Sequence, residues 1–379
     1  MQARLAMAAD GLAALIAALA ARGFEVVGPR RRDGVVDLGP VVSADDLPAG
    51  VGSEQAPGRY RLARRGDGAV FAHGPTAQGW RRFLQPPRER LLRASRRGRG
   101  LRIAADRPGP ARLAFLGVRP CDLAALRALD GALGGEPADP RYAPRRAGLF
   151  LVAASCVEPG GTCFCASLGT GPRADGGFDL ALTEILEGER RFLLEVGSEA
   201  GAALARELGL SAAPAADQGA AGRALERCAR AQSRALDPGA TAALLARSLE
   251  SPAWEAVARR CLSCGACTLV CPTCFCTTTA DDLSLDGGAA ERWCGWDSCF
   301  ALGHSYVHGG PVRATLAARH RQWATHKLAW QQEQHGAPGC TGCGRCITWC
   351  PACIDITETA AALRRAEATG ARPATGGGP

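Results

Sequence analysis

Over its first two-thirds the chain alternates short apolar runs with stretches of helical spacing. "RLAFLGV" (112–118) and "AGLFLVAAS" (147–155) are apolar runs bounded by turn signals, which predicts buried strands. "CDLAALRALDGAL" (121–133) between them has its apolar residues at helical spacing. The opening "MQARLAMAADGLAALIAALAARGF" predicts an alanine-rich amphipathic helix, followed by a strand at "GFEVVGP". Residues 211–250 read as helix, with "SAAPAADQGAAG" as an exposed linker. The alternation predicts an α+β (or α/β) domain over residues 1–250, with its reactive loops at strand ends. From "SPAWEAVARRC" onward, cysteines, prolines and short segments replace the alternation, marking a second domain over 251–358. Residues 359–379, ending in "TGARPATGGGP", are expected to be a disordered tail.

Composition changes this picture at one point. Hydrophobic residues make up 47% of the 379 and charged residues 22%, an ordinary globular balance. The 18 cysteines are not ordinary. Asp10, Gly11 and Arg22 interrupt the apolar N-terminus well short of a membrane span, and no export signal is read there. A reducing cytoplasm is the expected home, and there clustered cysteines bind metal more often than they pair. The net charge of +8 raises nucleic acid as a partner, but aromatic residues are only 5% and the arginine runs lack interleaved aromatics. A solvated face or a docking surface for an acidic partner accounts for those runs.

The chemistry is carried by C-x2-C-x2-C-x3-C-P, which occurs twice. Cys261, Cys264, Cys267, Cys271 and Pro272 form the first run; Cys340, Cys343, Cys346, Cys350 and Pro351 form the second. A cubane needs four inward-pointing thiolates, and one tight loop supplies only three. In two-cluster ferredoxins the fourth cysteine of each run serves the other cluster. That rule assigns Cys261, Cys264, Cys267 and Cys350 to one 4Fe–4S cluster, and Cys340, Cys343, Cys346 and Cys271 to a second. Gly265, Gly342 and Gly344 leave room for backbone N–H groups to approach the sulfurs. Zinc competes for C-x2-C pairs, but it would leave half of each run idle. The 251–358 domain is therefore expected to be an α-helical, two-cluster ferredoxin-like unit. A long insert interrupts it, because Cys271 and Cys340 lie 69 positions apart.

Ten cysteines remain. Cys274, Cys276, Cys294, Cys299 and Cys353 could form a further cluster, but no spacing among them is diagnostic, and buried or cluster-adjacent thiols are expected. Cys228 reads as a small hydrophobe on a helix. Cys121 and Cys156 each follow a predicted strand, and "EPGGTCFC" adds Cys163 and Cys165, which face the same way in an extended segment. These four thiols can converge on a third iron–sulfur cluster. The repeated "TCFC" at 273–276 weighs against it, since that copy abuts cysteines that already form complete sets. His304, His308, His320, His326 and His335 lie in or beside the insert, as exposed positions or hydrogen-bond partners more than as ligands. Trp293, Trp296, Trp323 and Trp330 are expected to shield the clusters.

"CLSCGACTLVCPTCFC", "WDSC", "HKLAWQQEQHGAPGCTGCGRCITWCP", "FLGVRPCDLAAL" and "EPGGTCFCASLGTGP" together resemble the beta subunits of sulfhydrogenases. The iron–sulfur A subunit of anaerobic sulfite reductase belongs to the same wider family. The similarity covers roughly residues 55–358; relatives usually carry a glycine where this chain has Cys353. The resemblance implies a non-catalytic electron-transfer subunit of a hydrogenase or sulfur reductase complex. Its partners would be a flavoprotein subunit that handles NAD(P) and the small and large subunits of a nickel–iron hydrogenase. A wire of the same kind serving a sulfite reductase subunit is the alternative. A third reading makes the N-terminal domain a thiol-dependent enzyme with Cys121 or Cys163 as nucleophile, fed by the ferredoxin domain, although no nearby base is evident.

Overall fold

The computed structural model describes residues 3–98, 100–109 and 111–370. Its N-terminal part is built on an eight-stranded sheet, in the order Ser211–Ala212, Arg4–Ala8, Arg191–Val196, Leu180–Ile185, Phe150–Ala154, Leu113–Val118, Glu25–Arg32 and Val35–Pro40. The four strands from Leu180–Ile185 to Glu25–Arg32 are parallel, and the pairings outside them that join the long strands are antiparallel. Phe150–Ala154 and Leu180–Ile185 are buried along their whole length, as expected where both faces of a parallel sheet are covered. Leu12, Leu15, Ile16 and Leu19 of the helix Gly11–Ala21 pack on one face with Val26, Leu116 and Val152. Leu123, Leu126 and Leu129 of the helix Pro120–Leu133 pack on the other with Val27, Phe115 and Leu151. The mixed α/β character follows from this two-sided covering.

Three expectations are corrected. Residues 4–8 are not helical: "RLAMA" is a strand, paired from Arg4↔Glu195 to Ala8↔Arg191. Five residues before the Asp10–Gly11 break are too few for a helix but enough for a sheet strand. The expected linker at 211–222 is instead a two-residue strand and the first half of the helix Ala215–Arg230. Ala220 and Ala221 of that helix are buried against Ile185 and Leu193, a close approach that only small side chains allow. The first part of the expected tail is helical. The helix Ile356–Ala368, capped by Asp355, carries the chain past 359 and buries Ala360 and Leu363; residues 371–379 lie outside the described residues.

The ferredoxin-type region shares a second sheet with the N-terminal part. In its insert the hairpin Thr277–Leu283/Ala289–Trp296 pairs with the hairpin Arg88–Arg97/Gly100–Ala105, making one four-stranded antiparallel sheet. The insert continues as the helix Leu316–Thr325, capped by Thr315, a π-helical turn His326–Trp330 and the helix Gln331–His335. Trp254, Phe300, Trp323, Ile347, Ile356 and Leu363 form the core of this region. Within the arginine-rich runs Arg30 meets Asp46, Arg32 meets Asp33 and Arg93 meets Glu291.

Candidate functional site

Each cysteine run folds as a loop followed by one short helical turn, Ala266–Leu269 in the first and Arg345–Thr348 in the second. The turns begin after Gly265 (φ +71) and Gly344 (φ +73), left-handed positions that L side chains rarely adopt. The loops bring together sulfurs that are distant in sequence. Cys261, Cys264, Cys267 and Cys350 line one hollow with Phe300, His320 and Trp323. Cys271, Cys340, Cys343 and Cys346 line another with Phe164, Trp323 and Lys327. The two hollows adjoin, since Cys346 and Trp323 border both. The first thus gathers three cysteines of the first run with Cys346 and Cys350 of the second, and the second gathers three cysteines of the second run with Cys271 of the first.

The surroundings fit sulfur-rich, electron-dense groups. Ser263 N–H points to Cys261 Sγ at 3.4 Å, and Ile354 N–H to Cys350 Sγ at 3.3 Å. His320 is buried with neither ring nitrogen hydrogen-bonded, and Trp323 Nε1–H is buried without an acceptor. Both side chains border the first hollow, where cluster sulfurs would supply the missing acceptors. Lys327 is buried at the second hollow. Its Nζ donates to Thr273 Oγ1 at 2.8 Å and Gln331 Oε1 at 3.2 Å, and it has no carboxylate partner among the described residues. A buried ammonium needs a negative counterpart, and thiolates at Cys271 and Cys340 provide one. Burial alone would lower the Lys327 pKa; the neighbouring cysteine sulfurs, Cys274, Cys271 and Cys340, outweigh it and raise the value.

Burial raises the thiols of Cys261, Cys267, Cys343 and Cys346, and pushes Cys340 up to about 12. Iron binding at these positions must therefore displace protons. Cys271 moves the other way, lowered by a hydrogen bond from the Cys274 thiol, with the Lys327 charge adding to the effect.

The four N-terminal cysteines lie against the second hollow. Cys121 begins the helix Pro120–Leu133 at the end of the strand Leu113–Val118, and Cys156 follows the strand Phe150–Ala154. Cys121 and Cys165 pack directly on Cys343. Cys163 Sγ lies 3.8 Å from the Cys343 carbonyl oxygen. Cys121, Cys163 and Cys165 are buried and Cys156 is half-buried. Burial raises Cys163 well above the ordinary thiol range, and the neighbouring Cys165, Cys156 and Cys343 raise it further, as one shared neighbourhood requires. Gln232 Nε2–H donates to Cys165 Sγ at 3.3 Å, and Arg119 Nη1–H points to Cys156 Sγ at 3.8 Å.

The segment Thr162–Cys165 is pressed onto the second cysteine loop. Phe164 N–H donates to Gly342 O at 2.8 Å, and Thr162 Oγ1 bonds Thr348 Oγ1 at 2.7 Å. A Cβ at Gly342 would lie 2.6 Å from Cys165 Cα, and one at Gly344 would lie 2.3 Å from Thr162 Oγ1. The first "TCFC" thus supports the second cluster loop, whatever else it holds. Arg345 completes the joint with a bidentate ion pair to Asp122 at 2.8 and 2.9 Å, both side chains buried.

Sequence reasoning missed the clamp pair Arg345–Asp122, and Lys327 as a buried countercharge. No local spacing links Asp122 to Arg345. Of the four expected tryptophan shields, Trp323 borders both hollows, whereas Trp293 and Trp296 sit on the insert hairpin under Arg88 and Arg81. Cys353 has φ +53, a left-handed backbone that L side chains rarely adopt.

Comparison with known proteins agrees with this geometry. Residues 260–354 match a family model described as a 4Fe–4S dicluster domain. The sulfhydrogenase 2 subunit beta of Pyrococcus furiosus is 34% identical over 253 residues, which is 65% of this chain and 72% of that protein. No solved structure matches. No helix among the described residues is long and apolar enough to cross a membrane. With paired cysteine loops, a dicluster domain and a relative matched over most of its length, the chain belongs to the family of sulfhydrogenase beta subunits, which are iron–sulfur proteins of electron transfer.

Proposed function

We propose that this chain is an electron relay, carrying electrons through 4Fe–4S clusters between a flavoprotein subunit that handles NAD(P) and a nickel–iron hydrogenase or sulfur reductase subunit. The observation that carries the reading is the unbroken line of sulfur sites. The N-terminal thiols touch Cys343, the second hollow shares Cys346 and Trp323 with the first, and the first reaches the surface at Cys264. Cys261, Cys264, Cys267 and Cys350 hold the first cluster in this reading; Cys271, Cys340, Cys343 and Cys346 hold the second. Cys121, Cys156, Cys163 and Cys165 hold a third, at the end of the line remote from Cys264. Each cluster supplies one-electron redox capacity, and the protein sets its position, its exposure and the donors around its sulfurs.

A thiol-enzyme role for the N-terminal domain is less well supported. Burial raises both Cys121 and Cys163 far above the ordinary thiol range, so neither is poised as a thiolate nucleophile.

The test uses the full chain, because the N-terminal part leans on the second cysteine loop and shares a sheet with the insert. Anaerobically purified protein should contain about eight irons from the two ferredoxin-type clusters, and about four more if the third site is filled. Cys271→Ala should damage the cluster of the Cys340 loop, and Cys350→Ala that of the Cys261 loop; a lesion confined to the mutated run would refute the crossed assignment. Cys156→Ala should remove about four irons while both ferredoxin signals remain. Native complexes should contain a flavoprotein and a hydrogenase or reductase subunit, and a chain that purifies alone and reduces NAD(P) unaided would contradict the relay.

A further inference from the structure

Three thiols outside every site described so far share one hollow. Cys274, Cys276 and Cys299 line it, together with His326, His304, Lys327 and Arg313. Cys274 and Cys276 are alternate residues of the stretch that enters the strand Thr277–Leu283. Asp297 N–H donates to Cys276 O at 2.9 Å, which fixes the turn that carries Cys299 opposite Cys276. Phe275, between the two alternate cysteines, meets the His326 ring edge-on at 6.1 Å. His326 opens the π-helical turn His326–Trp330, an irregularity that occurs disproportionately at functional sites. Four groups with ligand chemistry, from three separate segments, thus surround one space.

The charges nearby need an anion. Lys327 borders this hollow as well as the second cluster hollow. Arg81 is buried beside the same cysteines, donating to the carbonyl oxygens of Cys274 and Leu269 and lying 3.5 Å from the centre of a Trp296 ring. Like Lys327, it has no carboxylate partner among the described residues. One anionic cluster must otherwise compensate both cations.

We propose that Cys274, Cys276, Cys299 and His326 bind an additional iron–sulfur cluster, through three thiolates and one imidazole, as a side branch next to the second ferredoxin-type cluster. Soft thiolates with an imidazole suit iron–sulfur chemistry or zinc. Among the described residues no three such groups close on a point that would hold a single ion, whereas a cubane spreads its ligands around a core. The proposal deepens the relay reading but shares no ligand with the eight ferredoxin-type cysteines, so the two can fail separately.

The test is iron, sulfide and zinc analysis with electron paramagnetic resonance on the full chain, purified without oxygen. Cys276→Ser/Cys299→Ser should lose about four irons and four sulfides relative to the unaltered chain and keep both ferredoxin signals. Unchanged iron, or a loss of zinc in place of iron, overturns the proposal. Should that variant fail to fold, His326→Cys decides. It should keep its irons and move one signal to a more negative potential, because thiolate replaces imidazole. Potentials that all stay in place overturn the assignment of His326. Cys343→Ala separates the two readings, since Cys343 lines the second cluster hollow but not this one: it should disturb the second cluster and leave this signal intact.

Discussion

The two ferredoxin-type hollows are built from the same repeated motif and placed in opposite surroundings. The first opens to solvent: Cys264 is exposed, and Leu262 beside it is 67% exposed. The second is enclosed. The Thr162–Cys165 segment lies against its loop, Lys327 sits at its wall and the buried Arg345–Asp122 pair ties it to the N-terminal sheet domain. The motif fixes which sulfurs gather, and the packing around each loop decides what the cluster does. A wire needs one cluster that meets a partner and one sealed inside, and the contrast between the hollows supplies both.

The largest expected effect comes from breaking the seal. Arg345→Met leaves Asp122 buried and unpaired, which should cost about 3–5 kcal/mol of stability. The second cluster should be lost while the first survives, as read by cluster signals and thermal melting. Arg345→Met with Asp122→Leu should recover much of the loss, because neither charge is then left alone. A double variant as damaged as the single one would show that the pair is not the clamp. Next in size is lability. Under air or an iron chelator the first cluster should decay before the second, since water reaches Cys264 directly. Simultaneous decay would erase the distinction between an exposed and a sealed site.

Much of this was legible beforehand, and what was not has physical causes. The strands Leu113–Val118 and Phe150–Ala154, with the helix Pro120–Leu133, carry strong apolar runs and local periodicity. The eight ferredoxin-type cysteines sit at fixed short spacings within their runs. The first half of the helix Ala215–Arg230 reads as a linker because alanine and glycine give a weak hydrophobic signal, although their small size is what lets the helix approach the sheet. The pairing of Arg88–Arg97 with Ala289–Trp296 joins segments nearly two hundred residues apart, and nothing local announces it. The same holds for Asp122 with Arg345. As for "TCFC", its first copy braces a cluster loop and its second lines the hollow beside Lys327, so one tetrapeptide has two settings.

A smaller effect should separate the hollows electrochemically. His320 and Trp323 bring unpaired N–H groups to the first hollow, and donors to cluster sulfurs raise the potential by stabilising the reduced, more negative state. His320→Leu should shift the first cluster to a more negative potential and leave the second where it is, as measured by redox titration. Equal shifts in both clusters, or none, would mean that His320 does not address the first cluster.

The smallest effect is a pH slope. Burial lowers the His320 pKa to about 4 from its ordinary 6.5, so the folded chain keeps this imidazole neutral where the unfolded chain protonates it. Between pH 6.5 and about 4 the unfolded state therefore binds more protons. Stability rises with pH across that window and is lost as pH falls toward 4. His73, in the N-terminal part, behaves alike over a wider window: burial, followed by the Arg119 charge, lowers its pKa to about 3. Denaturant midpoints at pH 7, 6 and 5, followed by cluster absorption, should fall with pH in the unaltered chain. His320→Leu should flatten that fall in part and leave the contribution of His73. A variant that keeps the whole slope would show that the imidazole at the first hollow is not neutral in the folded chain, and the case for it as a simple N–H donor to the cluster would go with it.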